Sequence, residues 1–505
     1  MQTSLSLLNH PRDVHIEHFL VDGRVNTMNE RASDPLNKLY ERAAPNAILN
    51  GGGRADDVRC YPGTREEVIG KIEHWKDRKP DYTSRMMWLS GPAGAGKTAI
   101  IQSVAEKWKK SGVSTASFFF FRGDGTRNTA KPLAATLLYQ LIDLIPALKQ
   151  SMADLLSSKP LITEASIHDQ MMGFIDTPIH TLIHQKSIDV QTPIVLLIDG
   201  LDECSSDDKI IQERVLTALQ DLVSPEDSPF VALVASRREP NLIMAFRKLS
   251  LKLGSIFLDD DYRPAEDIHL FVAAKFDEIK RTHHLSNRLN KEWPLDADID
   301  NITNKSSGQF IYAATVMRFL EYSPESPNIT LKIVQGIQPL EDHSPFAQID
   351  AMYSYIFSQA RSLDTIKEMF AMHLIGSAYN SMFDNSTNLF DDFLPAVCDV
   401  TSVESLISPL ASMIRMEHSS EGMRLIFYHA SLGDFLQDES RSRTYFVDVH
   451  ATRVWWNIRL LRSGANTVFQ RLLHSLEDNA GDLSVQQTYE QRLNADTIKG
   501  IYEQS

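Results

Sequence analysis

Residues 88–100 of the chain read WLSGPAGAGKTAI. This stretch contains the full pattern G-x-x-x-x-G-K-[ST], which begins at Gly91 and ends at Thr98. An apolar segment predicted to be a buried strand, 86–89, precedes the pattern, and an amphipathic segment predicted to be a helix, 99–110, follows it. This order of strand, glycine-rich loop and helix is the context that a phosphate-binding loop requires. The sequence therefore predicts a nucleotide site at this position.

Each part of the loop has a chemical reason to be there. Glycines let the backbone curl so that its N–H groups converge on a phosphate, and the helix N-terminus adds a partial positive charge. Lys97 is expected to contact the β- and γ-phosphates, and the Thr98 hydroxyl is expected to bind Mg²⁺. The predicted nucleotide-binding residues of the loop are Gly91, Pro92, Ala93, Gly94, Ala95, Gly96, Lys97, Thr98 and Ala99.

An acidic group follows a second apolar segment, 193–198. A carboxylate at the carboxyl end of a buried parallel strand faces the nucleotide crevice. Asp199 is therefore expected to bind Mg²⁺, directly or through water, and Asp202 or Glu203 to orient or deprotonate the attacking water. The alternative is a solvated acidic turn. The sequence does not decide between Asp202 and Glu203, and we favour Glu203.

A cation follows a third apolar segment, 231–235. Arg237 is placed to project toward the γ-phosphate and to report its presence. The alternative is that Arg237 pairs with a surface carboxylate, and the residues alone leave the two interpretations equal.

The apolar segments alternate with helical ones, and they lack the polar alternation of half-exposed strands. This pattern indicates a parallel sheet covered by helices on both faces, a three-layer α/β fold of the P-loop NTPase type. The strand before Arg237 is predicted to lie between the strand before the loop and the acidic strand. Thr64 and Glu67 are spaced as a capping box at the start of an earlier helix. Helical patterns dominate from Pro264 to a short predicted strand, 425–428.

Composition excludes several classes of protein. The chain has 505 residues, 66 acidic and 51 basic, and a net charge of -15, which argues against a surface that wraps nucleic acid. Its three cysteines include no C-x-x-C pair, which excludes a disulfide scaffold and a cysteine-based zinc site. The sequence has neither a secretory signal nor an apolar run long enough for a membrane helix, so a cytoplasmic location is predicted.

Several motifs occur in an order that resembles the NACHT NTPases of fungi, which are related to the nephrocystin-like NACHT group. The resemblance covers roughly residues 55–450, including the segments that resemble the family's helical and winged-helix domains. Besides the loop, the motifs are RCYPGTREEVIGKIEHW (59–75), ASFFFFR (116–122), PIVLLIDGLDEC (193–204), ASRREPNLI (235–243), SSGQFIYAATVMRFL (306–320) and FYHASLGDFLQDESRS (427–442).

The resemblance implies a signalling ATPase of the NOD-like receptor type. Such a protein holds ADP in a closed state, exchanges it for ATP, opens and forms a homo-oligomer that acts on a protein effector in innate-immunity or self/non-self signalling. His429 matches the winged-helix histidine that contacts the β-phosphate in the closed state; a core histidine is the alternative. The carried-over site is Gly91, Gly96, Lys97 and Thr98 on phosphates and Mg²⁺, Asp199 on Mg²⁺, Glu203 on water and Arg237 as sensor.

The expected function is thus an ATP/ADP switch with slow hydrolysis; the alternatives are a turnover-driven ATPase and an adaptor with a structural nucleotide site. The sequence departs from the family at Phe310, where related receptors carry a proline near adenine, and at Arg238, where proline is frequent. The expected sensor repeats are absent. The predicted domains are an N-terminal arm of unknown role (1–55), the NTPase domain (56–262), a helical domain (263–380), a winged-helix-like domain (381–450) and a helical tail without repeats (451–505).

Overall fold

The computed structural model of the chain describes residues 36–51, 59–77, 83–188, 192–204, 210–339, 346–379, 394, 398, 403–419, 422–449 and 452. The predicted helical tail, apart from residue 452, and residues 1–35 of the predicted N-terminal arm lie outside this part of the chain. Within the described residues, no helix combines the length and the apolar content that crossing a membrane requires.

A five-stranded parallel sheet organises the first half of the chain. Its order is β2-β3-β4-β1-β5, so β4 lies between β1 and β3, as predicted. The expected α/β fold of the P-loop NTPase type is confirmed. In chain order the strands are β1 (Met86–Ser90), β2 (Thr115–Phe119), β3 (Ile194–Asp199), β4 (Phe230–Ser236) and β5 (Leu253–Phe257).

The register of the sheet brings the carboxyl ends of the strands to one edge. Ser90, the last residue of β1, pairs with Ser236 of β4 and with Phe257 of β5. Phe119, at the end of β2, pairs with Asp199 of β3. The segments that follow β1, β3 and β4 in the sequence therefore meet along this edge.

Helices cover both faces of the sheet, and this explains why the strands are apolar throughout. Successive residues of β3 alternate between two cores: Leu196 and Ile198 face one, and Val195 and Leu197 face the other. The second core contains α2 (Glu66–Lys76) and α3 (Lys97–Lys110). The first contains α1 (Asn37–Arg42), α4 (Leu133–Leu144), α5 (Leu148–Ser158), α6 (Ile167–Met171), a π-helical turn (Met172–Asp176), α7 (Thr177–His184), α8 (Ile210–Val223) and α9 (Pro240–Lys248).

The described end of the predicted N-terminal arm packs into the first of these cores. Leu39 and Ala47 are fully buried there. The backbone N–H of Ala44 donates to Oγ1 of Thr136 in α4, at 2.9 Å. Residues 36–50 are thus part of the structure that supports the sheet.

The second half of the chain is mainly helical and shares one continuous core. The predicted strand at 425–428 is present as β7, but the sequence did not reveal its antiparallel partner, β6. The elements are α10 (Pro264–Thr282), α11 (Asp296–Ser306), α12 (Phe310–Tyr322), α13 (Pro327–Gly336), α14 (Ala347–Ser358), α15 (Leu363–Tyr379), α16 (Val403–Ile407), β6 (Ile414–Ser419), β7 (Gly422–Phe427), α17 (Ala430–Leu436) and α18 (Glu439–Ser442).

The predicted capping box at the start of α2 is wrong. The helix begins one residue before Glu67, and the hydroxyl of Thr64 donates to the carbonyl oxygen of Tyr61 at 2.7 Å instead of capping it. Arg65, which precedes the helix, has a left-handed φ of 58°. Its guanidinium Nη2 donates to the carbonyl oxygen of Ala95 in the phosphate-binding loop, at 3.0 Å.

The two halves of the chain meet directly at this loop. Gly94 has a φ of +76° and lies under α12, so that a Cβ built on it would overlap Cγ2 of Ile311. Gly96 has a similar φ of +90°, but a Cβ built there would meet no atom within 4 Å. The first turn of α12 therefore packs on the loop at a position where only glycine fits.

We expect Gly94→Ala to destabilise the chain more than Gly96→Ala. Both substitutions force a left-handed alanine, which costs about 1–2 kcal/mol, but only the first overlaps Ile311, which adds about 1–3 kcal/mol. Thermal and denaturant unfolding of the two variants measure this difference. Adding Ile311→Ala to Gly94→Ala should give a loss smaller than the sum of the single losses. Equal losses at the two glycines would contradict the packing described here.

Candidate functional site

The loop between β1 and α3 owes its path to three glycines. Gly94 and Gly96 lie in the left-handed region that glycine adopts without steric cost. Gly91 lies so close to Leu258 that a Cβ built on it would be 2.9 Å from Cβ of Leu258. The loop pattern is therefore explained by conformation at two positions and by close packing at the third.

A cavity of about 720 Å³ opens over this loop and extends to the second half of the chain. It brings the predicted site residues together from four separate regions of the sequence. Of the predicted site residues, Ala93, Gly94, Gly96, Lys97, Thr98, Ala99, Asp199, Asp202, Glu203, Arg237 and His429 line it. Gly91, Pro92 and Ala95 do not line it, and their carbonyl oxygens accept hydrogen bonds from Lys97 and Arg65.

Lys97 lies folded against its own loop. Its Nζ donates to the carbonyl oxygens of Gly91, at 2.9 Å, and Pro92, at 2.8 Å. Burial lowers the pKa of Lys97, and the negative charge of Asp202 opposes this change. The backbone carbonyl oxygens that bind the ammonium group are therefore partners that a phosphate could replace. The same cavity contains the acidic residues at the edge of the sheet.

Asp199 and Thr98 are the predicted metal ligands, and both line the same cavity. Asp199 ends β3 and is 2% exposed, and Thr98 belongs to the first turn of α3. A carboxylate and a hydroxyl are oxygen ligands of the kind that Mg²⁺ prefers. The donor set therefore fits the predicted ion.

Asp202 has both carboxylate oxygens committed to one arginine. Its Oδ1 accepts from the backbone N–H of Arg237 at 2.8 Å, and its Oδ2 lies 3.1 Å from Nε of the same residue. Asp202 is 4% exposed, so this is a buried ion pair that links the end of β4 to the turn after β3.

Glu203 has a different environment from its neighbour. Its Oε2 accepts from the backbone N–H of Arg122 at 3.1 Å. Burial, and then the negative charge of Asp202, raise the pKa of Glu203 to about 7. A carboxylate with this pKa gains and loses its proton near neutral pH, as a general base requires.

Arg237 also contacts the second half of the chain. Its Nη1 lies 2.9 Å from Oδ2 of Asp434 in α17, and Nη1 of Arg122 lies 3.3 Å from the other oxygen of Asp434. Burial lowers the pKa of Arg237, but the charges of Asp434 and Asp202 outweigh burial and hold it above its ordinary value. Two arginines from the ends of the strands thus hold one carboxylate of the C-terminal segment.

His429 lies just before α17, in the same cavity as Lys97. Its Nδ1 accepts from the backbone N–H of Ser431 at 3.0 Å, which assigns the ring proton of the neutral form to Nε2. Burial, and then the positive charge of Arg237, lower the pKa of His429 to about 3. The imidazole is therefore neutral at physiological pH and carries one N–H donor.

An aromatic and cationic wall closes another side of the cavity. The Arg65 guanidinium carbon lies 5.1 Å from the centroid of the Phe310 ring, and the Phe271 ring lies 6.2 Å from that of Phe310. All three residues line the cavity, and Arg65 is 4% exposed. Phe310, which stands in the place of the family's proline, is thus a cavity residue.

Three charged residues of this arrangement were not predicted as site residues: Arg65, Arg122 and Asp434. Each lies inside a motif quoted for the family resemblance, at 59–75, 116–122 and 427–442. A charged side chain inside one of these motifs was therefore the signal by which the sequence could have pointed to these three residues. The pairing of Asp434 with residues about 200 and 300 positions away had no local signal in the sequence.

Known proteins are similar to part of this chain. A family model described as nephrocystin 3, N-terminal, matches residues 63–237. The vegetative incompatibility protein HET-E-1 of Podospora anserina is 24% identical over 280 residues, which are 53% of this chain. Over this region the chain is similar to the fungal NACHT-type NTPases. The chain matches 18% of the length of HET-E-1, so the comparison spans a small part of that relative.

The chain also shows weak similarity to solved structures. The ORC2 protein of Aeropyrum pernix, determined as ADPNP–ADP complexes, has a TM-score of 0.34 and 10% identity, over 76% of this chain and 94% of that one. A Walker-type ATPase of Pyrococcus abyssi has a TM-score of 0.32 and 11% identity, over 76% of this chain and 97% of that one.

We expect Asp434→Asn to loosen α17 from the ends of the strands. The substitution keeps the shape of the side chain but removes the charge that Arg122 and Arg237 share, at a cost of about 1–3 kcal/mol. Hydrogen exchange of peptides spanning 427–442, with thermal unfolding, measures the effect. Glu439→Gln, an exposed change of the same charge in α18, is the matched control. Equal effects of both substitutions would show that net charge, and not these ion pairs, is responsible.

Proposed function

We propose that this NACHT-type chain is an ATP- and ADP-binding molecular switch that hydrolyses ATP slowly. The observation that carries the proposal is the position of Arg237, which lines the nucleotide cavity and pairs with Asp434 of α17. A guanidinium that binds a carboxylate can instead bind a phosphate, because both anions match its fork of N–H donors. One side chain thus connects the occupancy of the cavity with the position of the C-terminal segment.

The loop residues support nucleotide binding. The backbone of 91–96 and the N-terminus of α3 would hold the β-phosphate, and Lys97 would exchange its carbonyl partners for the β- and γ-phosphates. Thr98 and Asp199 would hold Mg²⁺, which when bound offsets the negative charge of the phosphates. The aromatic wall around Phe310 would contact the base, and adenine is the expected base.

The environments of the two acidic residues support different roles in hydrolysis. Glu203, with a pKa of about 7, would accept the proton of the attacking water. Asp202 would act as a positioning residue, because both of its carboxylate oxygens hold Arg237. This division supports Glu203 as the base, in line with the preference stated from the sequence.

The switch would depend on competition for one cation. In the ADP state Arg237 holds Asp434, and the neutral His429 offers its Nε2 proton toward the phosphates. The γ-phosphate of ATP places a second anion beside Arg237 and repels the charge of Asp434. ATP would therefore favour the arrangement in which α17 is released, since a ligand shifts an equilibrium by its differential affinity for the two states.

The signalling part of the proposal rests on the relative's name and on the family. Vegetative incompatibility in the name of HET-E-1 supports a role in self/non-self signalling. The released state would form a homo-oligomer and act on a protein effector. A turnover-driven ATPase would instead hydrolyse ATP rapidly as a monomer, and an adaptor with a structural nucleotide would not respond to ATP.

Nucleotide binding is tested by denaturing the purified chain and identifying what it releases. We expect adenine nucleotide, and we expect Lys97→Ala to weaken ATP binding by about 10–100-fold, because a charged hydrogen-bond donor is lost. Lys110→Ala, at the exposed far end of α3, is the matched control. Hydrogen exchange at 427–442 should rise with a non-hydrolysable ATP analogue but not with ADP.

Three outcomes would contradict this proposal. Equal ATP affinity in the Lys97→Ala and wild-type chains would remove the phosphate-binding role of the loop. Preference for a guanine nucleotide would overturn the expected base. Identical exchange at 427–442 with ADP and with the ATP analogue would remove the switch and leave a nucleotide-binding protein.

The raised pKa of Glu203 predicts the pH dependence of hydrolysis. Only the ionised carboxylate accepts a proton, so the single-turnover rate should rise from pH 6 to pH 8, with a midpoint near the pKa of about 7. Glu203→Gln should lower the rate by about 10²–10⁴-fold and abolish the pH dependence. Glu226→Gln, an exposed change before β4, is the control. A Glu203→Gln variant that kept the same pH midpoint would assign the titration to another group.

A further inference from the structure

A second group of ligating side chains lies at the opposite edge of the sheet from the nucleotide cavity. His180 and His184 belong to α7, which precedes β3, and Asp227 lies in the segment that precedes β4. In a parallel sheet the amino ends of the strands share one edge, and the loop after β1 lies at the other. No part of the proposed nucleotide chemistry uses these three residues.

The three side chains converge within a few ångströms. His180 and His184 are four residues apart on one helix, so they project from the same face. One ligand atom from each of the two histidines and from Asp227 lies within 4.8 Å of the other two. Nδ1 of His180 is 3.9 Å from Oδ2 of Asp227, and the two imidazole centroids are 6.3 Å apart.

A second carboxylate orients the more buried of the two histidines. Nε2 of His180 lies 3.5 Å from Oδ1 of Asp176, one helical turn earlier. Metal-bound histidines characteristically donate their other ring N–H to a carboxylate, which fixes the tautomer and the direction of the ring. With Nε2 facing Asp176, Nδ1 of His180 faces Asp227.

The backbone that carries these three side chains is well anchored, whereas the side chains themselves have room to rotate toward a shared ligand. Ile179 and Leu182 bury the opposite face of α7. A turn closed by the N–H of Ser228, which donates to the carbonyl oxygen of Pro225 at 3.0 Å, holds the position of Asp227. The side chain of Asp227 itself is 69% exposed, so it can rotate without loss of packing.

We infer that His180, His184 and Asp227 bind one divalent transition metal ion, with zinc as the ion that the ligands fit best. Two imidazole nitrogens and one carboxylate oxygen are an established zinc ligand set that leaves a fourth position for water. Ligands about 2.0–2.1 Å from a tetrahedral ion are about 3.3 Å apart, so the atoms need to close by at most about 1.5 Å. The bound ion would clip α7 to the segment before β4.

The test is a zinc titration of the full chain, freed of metal by a chelator, with competition against a chromophoric zinc indicator. We expect one equivalent to bind with a dissociation constant in the micromolar range or below. His184→Ala and Asp227→Asn should each weaken binding at least 10-fold, and Asp176→Asn should weaken it by about 10-fold as an orienting group. Zinc should also raise the unfolding temperature of the wild-type chain but not of the His184→Ala variant.

His168→Ala is the matched control. His168 lies 3.1 Å from Asp221 and 3.8 Å from Asp169 in the same core region, but no second histidine completes that group among the described residues. His168→Ala should leave the affinity unchanged. Equal zinc stoichiometry and affinity in the wild-type and His180→Ala/His184→Ala chains would overturn the inference, as would equal losses in His168→Ala and His184→Ala. His184 is exposed, so its replacement should not disturb the fold. If the His184→Ala and wild-type chains unfold alike in chelator, weaker zinc binding by the variant is due to the lost ligand and not to a damaged fold.

Discussion

The parallel register of β1, β4 and β3 brings the separate parts of the candidate site together. It is set by backbone hydrogen bonds and by burial of both faces, and it aligns Ser90 with Ser236 and Ile198 with Val234. The loop after β1, the acidic turn after β3 and the arginine after β4 consequently share one edge. Their side chains meet because the strands pair in this order, although they are far apart in the sequence.

Charge balance at this edge connects the two halves of the chain. Arg237 is largely buried and must be paired, because an isolated charge away from water is costly. Asp202 supplies one partner from within the NTPase domain, and Asp434 supplies the other from α17. A phosphate in the cavity is a third anion that can satisfy the same guanidinium. In the proposed switch this cation would be the connecting group, and the packing of Ile311 on Gly94 is a second contact between the two halves.

Local patterns predicted the elements that are long, apolar and strongly periodic. Strands β1, β3 and β4 and helix α3 were predicted within a few residues of their observed bounds. Three features were not predicted: strand β6, the left-handed Arg65 and the burial of residues 36–50. Their apolar patterns are short, and each is stabilised by partners distant in sequence, such as the pairing of β6 with β7 and the bond from Ala44 to Thr136. Propensity and periodicity carry no information about such partners.

Residue types at short, regular spacing were enough to predict the glycine-rich loop, the acidic strand end, Arg237 and the α/β class. How the charges are shared depends instead on the folded arrangement of the chain. This arrangement divided the environments of the adjacent Asp202 and Glu203, paired Arg237 with Asp434 across about 200 residues, and brought His180, His184 and Asp227 together. The physical reason is that pairing and burial of charge depend on distance in space, which the order of residues specifies only through the fold.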